Sequence, residues 1–558
     1  MTPYPLFLLA AAFQAAPPAG EAPLAVVHAD VLPMDVAEGA PAVLRDHTLV
    51  VRDGRIERLG PASEVAVPEG ARVVDGSGKY LLPGLVDAHT HTFSAEDFEL
   101  HVAHGVTTAW EMAGNPQLLA WRAEIAAGER LGPRLFVTGP QLKVEAIPFT
   151  DMEIAAGSPA RARDLVEGMA ADGYDFVKVW GPLPEDVLVA VGEAAGEAGL
   201  PVTGHIPGDV GLARTLECGL AAVAHVEEYW NKVLRRREDA ERLAEAVALT
   251  AEAGAVAVTT LVTYENIAQV LGPDLTGLPG RGELRYVDPV RRMLWGPEYN
   301  DYRRRFEARE GPAFAEALES KQRIARALHD AGVPLLAGSD AGGFQLSLVP
   351  GLALHRELEL LVDAGLTPLE ALRAATSVPG RFLAPGDPSG VLAPGRRADL
   401  LLVDGNPLED VGNIRRIAGV AVAGRWLDRA ELDGRLEALA ARNGRTGAFV
   451  ESALGGESAM EAYRAARDAA SPDGPLFQEA PLLLLAFLYF QSGRQEEALE
   501  LLQVVAREYP ESYAAYYVLA AAARVGGDAD GARELLRAVL DRSPRHRIAR
   551  ETLAELGR

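Results

Sequence analysis

The sequence predicts an α/β chain: a (β/α)8 TIM-like barrel, a small β-sandwich domain built from both of its flanks, and a C-terminal region of helical repeats. Three observations carry that prediction. Between Leu82 and Leu383 about eight short apolar runs alternate with helical stretches, the number and spacing of a barrel of this kind. On either side, over 24–81 and 384–432, short β-like runs are separated by turn signals. Over 445–558 the chain turns helical and matches itself at a spacing of 34 residues.

Taken in order, the chain opens with the apolar run Leu6–Phe13 and an Ala/Pro/Gly-rich stretch. Residues 1–22 read as a signal peptide, with no Lys or Arg ahead of the run, and predict export to the periplasm or the medium. The run is too short to span a bilayer, so no membrane insertion is expected after processing. Strands are expected at Leu24–Val27, Thr48–Arg52, Arg55–Leu59 and Arg72–Asp75, with Asp53-Gly54 as a hairpin signal. The same texture returns at Asp399–Val403 and Gly419–Trp426. The barrel strands are expected at Leu82–His89, Val106–Trp110, Arg134–Thr138, Phe176–Trp180, Pro201–Ile206, Ala221–Val226, Val256–Val262 and Pro334–Gly338. Stretches such as Pro184–Ala198 and Ala313–Ala331 supply the intervening helices.

A long insertion, Thr263–Gly311, carries Tyr264, Tyr286, Trp295, Tyr299 and Tyr302 and reads as a rim loop that shapes substrate access. In the tail, Ala486, Gly493, Ala498, Leu501, Leu502 and Pro510 recur as Ala520, Gly527, Ala532, Leu535, Leu536 and Pro544. Small residues, a turn glycine and a closing proline in register mark tetratricopeptide-like helix pairs. Two pairs and a final helix, His546–Leu556, read as a short array that leans on the barrel and offers a surface for protein contact.

With 558 residues the chain exceeds a single ordinary core. Its net charge of −25 argues against nucleic acid or an anionic membrane as partner. Cys218 is the single cysteine, so an internal disulfide and a cysteine-based metal site are both excluded.

Barrel active sites lie at the C-terminal ends of the strands. There the first strand ends in His89 and His91, which share a face because side chains alternate along a strand. The fourth strand supplies Lys178, the fifth His205, the sixth His225 and the eighth Asp340. Each alone has a bland explanation as a polar, core or capping residue. Six metal-competent groups at matching strand ends do not share one. Lys178 is the most telling of them. The chain relies on arginine, its lysines being Lys79, Lys143, Lys178, Lys232 and Lys321, yet Lys178 sits inside the apolar run Phe176–Trp180. Burial lowers the pKa of an ammonium, and a neutral amine can take up carbon dioxide as a carbamate, an anionic oxygen ligand. His101 and His104 read as packing or surface residues.

Pro83–His91, Gly105–Thr108, Val177–Val179, His205, His225 and Gly338–Ala341 together resemble the amidohydrolase superfamily. Leu366–Thr376, Gly395–Leu400 and Asp404–Leu408 extend the likeness, which covers about Leu24 to Leu432. The branch it resembles holds imidazolonepropionase-like and X-Pro dipeptidase-like enzymes. The resemblance implies a hydrolase that cleaves a carbon–nitrogen bond of a small molecule or dipeptide by metal-activated hydroxide. It implies two divalent metal ions, zinc by default: His89, His91 and Asp340 for the first, His205 and His225 for the second, and a carboxylated Lys178 bridging them. Asp340 would also be the catalytic proton carrier. Tyr264, just past the seventh strand, would be substrate-binding, either through its hydroxyl or as a wall of the pocket. Two features bear on the branch. A mononuclear, imidazolonepropionase-like hydrolase of cyclic amides does not need Lys178, whereas dipeptidase-like members carry a histidine in the loop after the third strand and Gly139–Lys143 has none. The reading from another class is an interaction protein that uses the C-terminal repeats on an inert barrel; the complete ligand set argues for the enzyme.

Overall fold

A parallel sheet must bury both faces, and runs of Val, Leu and Ala separated by amphipathic helices meet that requirement. The structure is a computed structural model that describes residues 22–557 apart from 36–40, 148–149, 273–280, 297, 307–309, 344–345, 456–457 and 469–474. The expected signal segment, 1–22, lies outside the described residues except for Ala22. Barrel strands 1 to 8 are Leu85–Thr90, Val106–Glu111, Arg134–Val137, Val177–Val179, Val202–Gly204, Leu220–Val223, Val256–Val258 and Leu335–Leu336. Strands 1 to 3 pair in parallel, as do strands 4 to 8. Backbone hydrogen bonds join the two sets at both seams. Gly139 N–H donates to the Phe176 carbonyl at 2.8 Å, and Asp340 N–H donates to the His89 carbonyl at 2.8 Å. The eight strands therefore form a ring.

The expected strand Leu82–His89 is divided at Gly84. Tyr80–Pro83 pairs antiparallel with Leu400–Val403, and only Leu85–Thr90 enters the barrel. A Cβ on Gly84 would lie 2.1 Å from Thr107 Oγ1, so the chain crosses from one sheet to the other where only glycine fits. The two flanks thus meet in one eight-stranded mixed sheet with its own apolar core, which includes Val26, Leu49, Ile56, Leu81, Leu400 and Trp426. The expected strand Gly419–Trp426 is a hairpin, Ile417–Val422 and Arg425–Asp428, turning at Ala423 and Gly424 with φ of 49° and 86°. Two successive positive φ angles match the twist of the paired strands. Barrel strand 7 ends at Val258, earlier than expected, because Thr260 at φ 47° turns the chain into the helix Leu261–Leu271.

The insertion is packed against the rest of the chain. Its described part includes most of the helix Leu261–Leu271, a short 3-10 helix Gly282–Tyr286 and the helices Pro289–Leu294 and Asp301–Arg305. Arg291 clasps Asp97 with two hydrogen bonds of 2.8 and 2.5 Å, both side chains buried, and so ties the insertion to the helix Asp97–Ala103. The tail holds the helix pairs Glu479–Gln491 with Gln495–Glu508 and Ala514–Val525 with Ala529–Arg542, then Arg547–Leu556. One 26-residue helix, Arg429–Leu454, runs through positions 432 and 445, where a change of unit is expected. The tail also leans on the rest of the chain. Val290 of the insertion shares an apolar core with Phe449, Leu482, Leu485 and Leu501. Tyr513 Oη donates to Asp151 Oδ2 at 2.6 Å, and Arg161 reaches Glu551 at 2.8 Å. Among the described residues no helix is long and apolar enough to cross a membrane.

A chain ending at Gly444 would leave Val290, Met293 and Leu294 uncovered. It should aggregate during purification, as read by size-exclusion chromatography with light scattering. A monodisperse, folded product would show instead that the barrel is complete without its tail.

Candidate metal centre

The floor of the barrel is apolar. Trp110, Phe176 and Phe382 stack across it, with ring centroids 4.6 to 5.9 Å apart. Above this floor the strand ends bring the six expected groups together. His89 and His91 leave strand 1 on the same side, their Nε2 atoms 3.3 Å apart. Asp340 Oδ1 lies 3.4 Å from His89 Nε2 and 3.0 Å from His91 Nε2. Ligand atoms about 2.0–2.1 Å from a tetrahedral metal ion stand about 3.3 Å from one another. The three separations fit one ion of zinc's size, and among the described residues this triad is the one group of that kind. The His225 ring lies 4.4 Å from the His89 ring, and the His205 ring 5.0 Å from the His225 ring, so a second pair of imidazoles continues the cluster.

Three of these histidines are oriented by a partner at the other ring nitrogen. His89 Nδ1 meets the Ala224 carbonyl at 3.2 Å, His205 Nδ1 meets Glu228 Oε1 at 3.1 Å, and His225 Nδ1 meets Thr260 Oγ1 at 2.8 Å. An Nδ1–H given to an acceptor leaves Nε2 with a free lone pair aimed inward, the usual arrangement of metal-binding histidines. Burial, reinforced by the Lys178 charge, holds His89 well below its ordinary pKa, and burial does the same to His225. Both rings are therefore neutral and able to bind a cation.

Lys178 completes the cluster. It is 1 % exposed, its Nζ has no hydrogen-bond partner, and burial brings its pKa down to about 7. An orphaned, half-deprotonated amine among four imidazoles and a carboxylate fits a group that is modified to an anion when metals are bound. Burial pushes the Asp340 carboxyl upward, but the hydrogen bond from His91, together with the surrounding bases, outweighs it. The carboxyl stays below its ordinary value. Asp340 adopts a left-handed φ of 56°, a strained conformation for a non-glycine residue that a functional position retains. A Cβ on Gly338 would lie 2.7 Å from that of His89, so the glycine lets strand 8 close against strand 1 beside the ligands.

The residues that hold this set were not singled out in the sequence. Buried Asp87 accepts from Ser339 N–H at 2.9 Å and Ser339 Oγ at 2.6 Å, locking strand 1 to strand 8 between the two ligand positions. Buried Glu111 accepts from Thr92 N–H at 2.9 Å and Thr92 Oγ1 at 2.7 Å, fixing the turn after His91. Glu228 accepts from Ile206 N–H at 2.8 Å as well as facing His205. Asp87 interrupts an apolar run in strand 1, and Glu111 ends strand 2, so both carried a readable signal. Glu228, beyond the end of strand 6, carried none.

Tyr264 sits in the first turn of the helix Leu261–Leu271 and is 7 % exposed. Its hydroxyl accepts from Asn231 Nδ2 at 3.2 Å and donates to Glu227, while the Lys321 ammonium lies 3.3 Å from its ring centroid. The hydroxyl is thus engaged within the protein. His101 is buried, and His104 Nδ1 meets the Leu100 carbonyl at 2.8 Å, both packed away from the centre.

Comparison with known proteins adds three kinds of likeness. The model of the amidohydrolase family matches residues 80–427, and a tetratricopeptide repeat model matches 482–512. Imidazolonepropionase from Chromobacterium violaceum is 26 % identical over 416 residues, which span 68 % of this chain and 90 % of that protein. Bottromycin amidohydrolase superposes with a TM-score of 0.60 at 27 % identity, over 76 % of this chain and 91 % of that one. A provisionally assigned prolidase from Bifidobacterium longum superposes with a TM-score of 0.55 at 26 % identity, over 75 % and 99 %.

Replacing Glu228 by Gln should leave the fold intact but weaken metal binding about 10- to 100-fold, because His205 loses the carboxylate that orients it. Metal titration of the stripped variant checks this. Unchanged affinity would mean that Glu228 only caps Ile206 N–H.

Proposed function

This chain belongs to the amidohydrolase family, and on that premise we propose that it is a binuclear metal-dependent hydrolase that cleaves an amide or peptide-like C–N bond of a small molecule or dipeptide. The observation that carries the binuclear reading is Lys178, a buried amine with no partner beside the His89, His91 and Asp340 triad and the His205 and His225 pair. His89, His91 and Asp340 would hold one divalent ion, His205 and His225 would face the other, and a carbamate on Lys178 would supply an anionic oxygen ligand to them. Carbon dioxide adds to the neutral amine, one N–C bond forming as one proton leaves. Zinc suits the imidazole-rich set.

Bound metals supply an acidified water and a polarised carbonyl. The chain's own residues do the remainder. Asp340, held ionised by its surroundings, takes the proton of the attacking water on a carboxylate oxygen and delivers it to the leaving nitrogen. Asp87 and Glu111 keep the ligand-bearing turns in place, and the apolar floor of Trp110, Phe176 and Phe382 excludes bulk water from below. Tyr264 is a wall of the substrate pocket. The likeness to an imidazolonepropionase favours a second reading, a mononuclear hydrolase of a cyclic amide, which leaves Lys178 without a role.

Lys178 separates the two. Wild-type protein should hold two divalent ions per chain by elemental analysis. Lys178→Ala should keep its fold, lose at least one ion, and lose activity by about 100-fold or more, roughly 3 kcal/mol of transition-state stabilisation. Lys178→Arg should fail equally, since a guanidinium cannot become a carbamate. A Lys178→Arg protein with both metals and near-normal turnover would remove the carbamate, whereas a wild-type protein that holds one ion would favour the cyclic-amide reading.

A further inference from the structure

Side chains alternate along barrel strand 4, so Phe176, Lys178 and Trp180 project to the same, inner side. Phe176 belongs to the floor and Lys178 to the metal centre. Trp180 stands above both, at the mouth. It is 40 % exposed, although an indole gains much from burial. Its edge meets the His205 ring with centroids 5.6 Å apart. The Lys143 ammonium lies 3.9 Å from the centre of the indole and is itself paired with Glu153. Lys143 and Glu153 belong to two short parallel strands, Gln141–Lys143 and Glu153–Ala155, in the segment after barrel strand 3. The same segment carries Asp151, which the tail grips through Tyr513. The indole is therefore braced by a fixed cation and by a ligand histidine, with the rest of its surface left open beside the metal centre. Glu153 neutralises Lys143, so what this corner offers a substrate is a flat aromatic surface rather than a charge.

We propose that Trp180 is a substrate-contacting wall that stacks against a flat aromatic group attached next to the scissile C–N bond. Lys143, Glu153 and Asp151 position that wall and do not touch the substrate. The inference deepens the hydrolase reading and rests on it for the identity of the bond, but the contact can be measured without turnover. Metal-stripped protein is titrated with N-benzoylglycine, which bears a ring on the acyl side, and with N-acetyl-4-aminobenzoate, which bears one on the amine side. N-acetylglycine is the ring-free control, and binding is followed by calorimetry and by tryptophan fluorescence. At least one aromatic probe should bind about tenfold more tightly than the control. That preference should vanish in Trp180→Ala and persist in Trp180→Phe, which keeps a ring. Equal binding of all three probes, or a preference that survives Trp180→Ala, overturns the proposal. If the preference follows Trp180 while metal-loaded protein hydrolyses no amide, the wall stands and the hydrolase reading fails.

Discussion

Taking an ammonium out of water without giving it a hydrogen bond is strongly unfavourable, and Lys178 is placed in that position by the barrel itself. Strand 4 points it inward, the aromatic floor removes water from beneath it, and the ring of strands leaves it no backbone acceptor. The same desolvation keeps His89 and His225 neutral. Burial thus turns His89, His225 and Lys178 from mutually repelling cations toward lone pairs that a cation can use. The rest of the site follows from this constraint. Asp340 stays anionic because the hydrogen bond from His91, together with the surrounding bases, outweighs burial, and its strained backbone persists because strands 1 and 8 are locked around it by Asp87 and Ser339.

That lock connects catalysis to fold. The apolar strands bring His89, His205, His225 and Asp340 to one end, but they do not set ring orientation. Orientation comes from the Ala224 carbonyl, Glu228 and Thr260, each supplied by the turn after another barrel strand. The packing extends outward as well. The tail holds the segment after strand 3 through Tyr513 and Asp151, and that segment holds Trp180 beside His205. A region that looks peripheral in the chain is therefore mechanically continuous with the mouth of the site.

The sequence made the barrel legible because its strands are apolar, short and separated by helical stretches, and because His89 and His91 obey strand alternation. It made Lys178 legible because a lysine inside Phe176–Trp180 conflicts with its neighbours. What it hid was whatever depends on three-dimensional proximity. Nothing local announces that Glu228 faces His205, that Gly84 splits one apolar run between two sheets, or that Arg291 of the insertion meets Asp97 almost two hundred residues earlier. Helical periodicity marked the tail as a repeat, yet it could not show that Val290 would complete the tail's core. The Gly419–Trp426 run read as one strand because Ala423-Gly424 lacks the Asn or Asp that usually signals such a turn.

The account turns on a covalent change at one nitrogen, and carbon-13 NMR reads that change directly. Protein labelled with nitrogen-15 at lysine side chains is reconstituted with divalent metal and carbon-13 bicarbonate. The account predicts one carbamate carbon per chain, split by its bonded nitrogen and absent from Lys178→Ala. A wild-type protein carrying its full metal complement with no such resonance would contradict it.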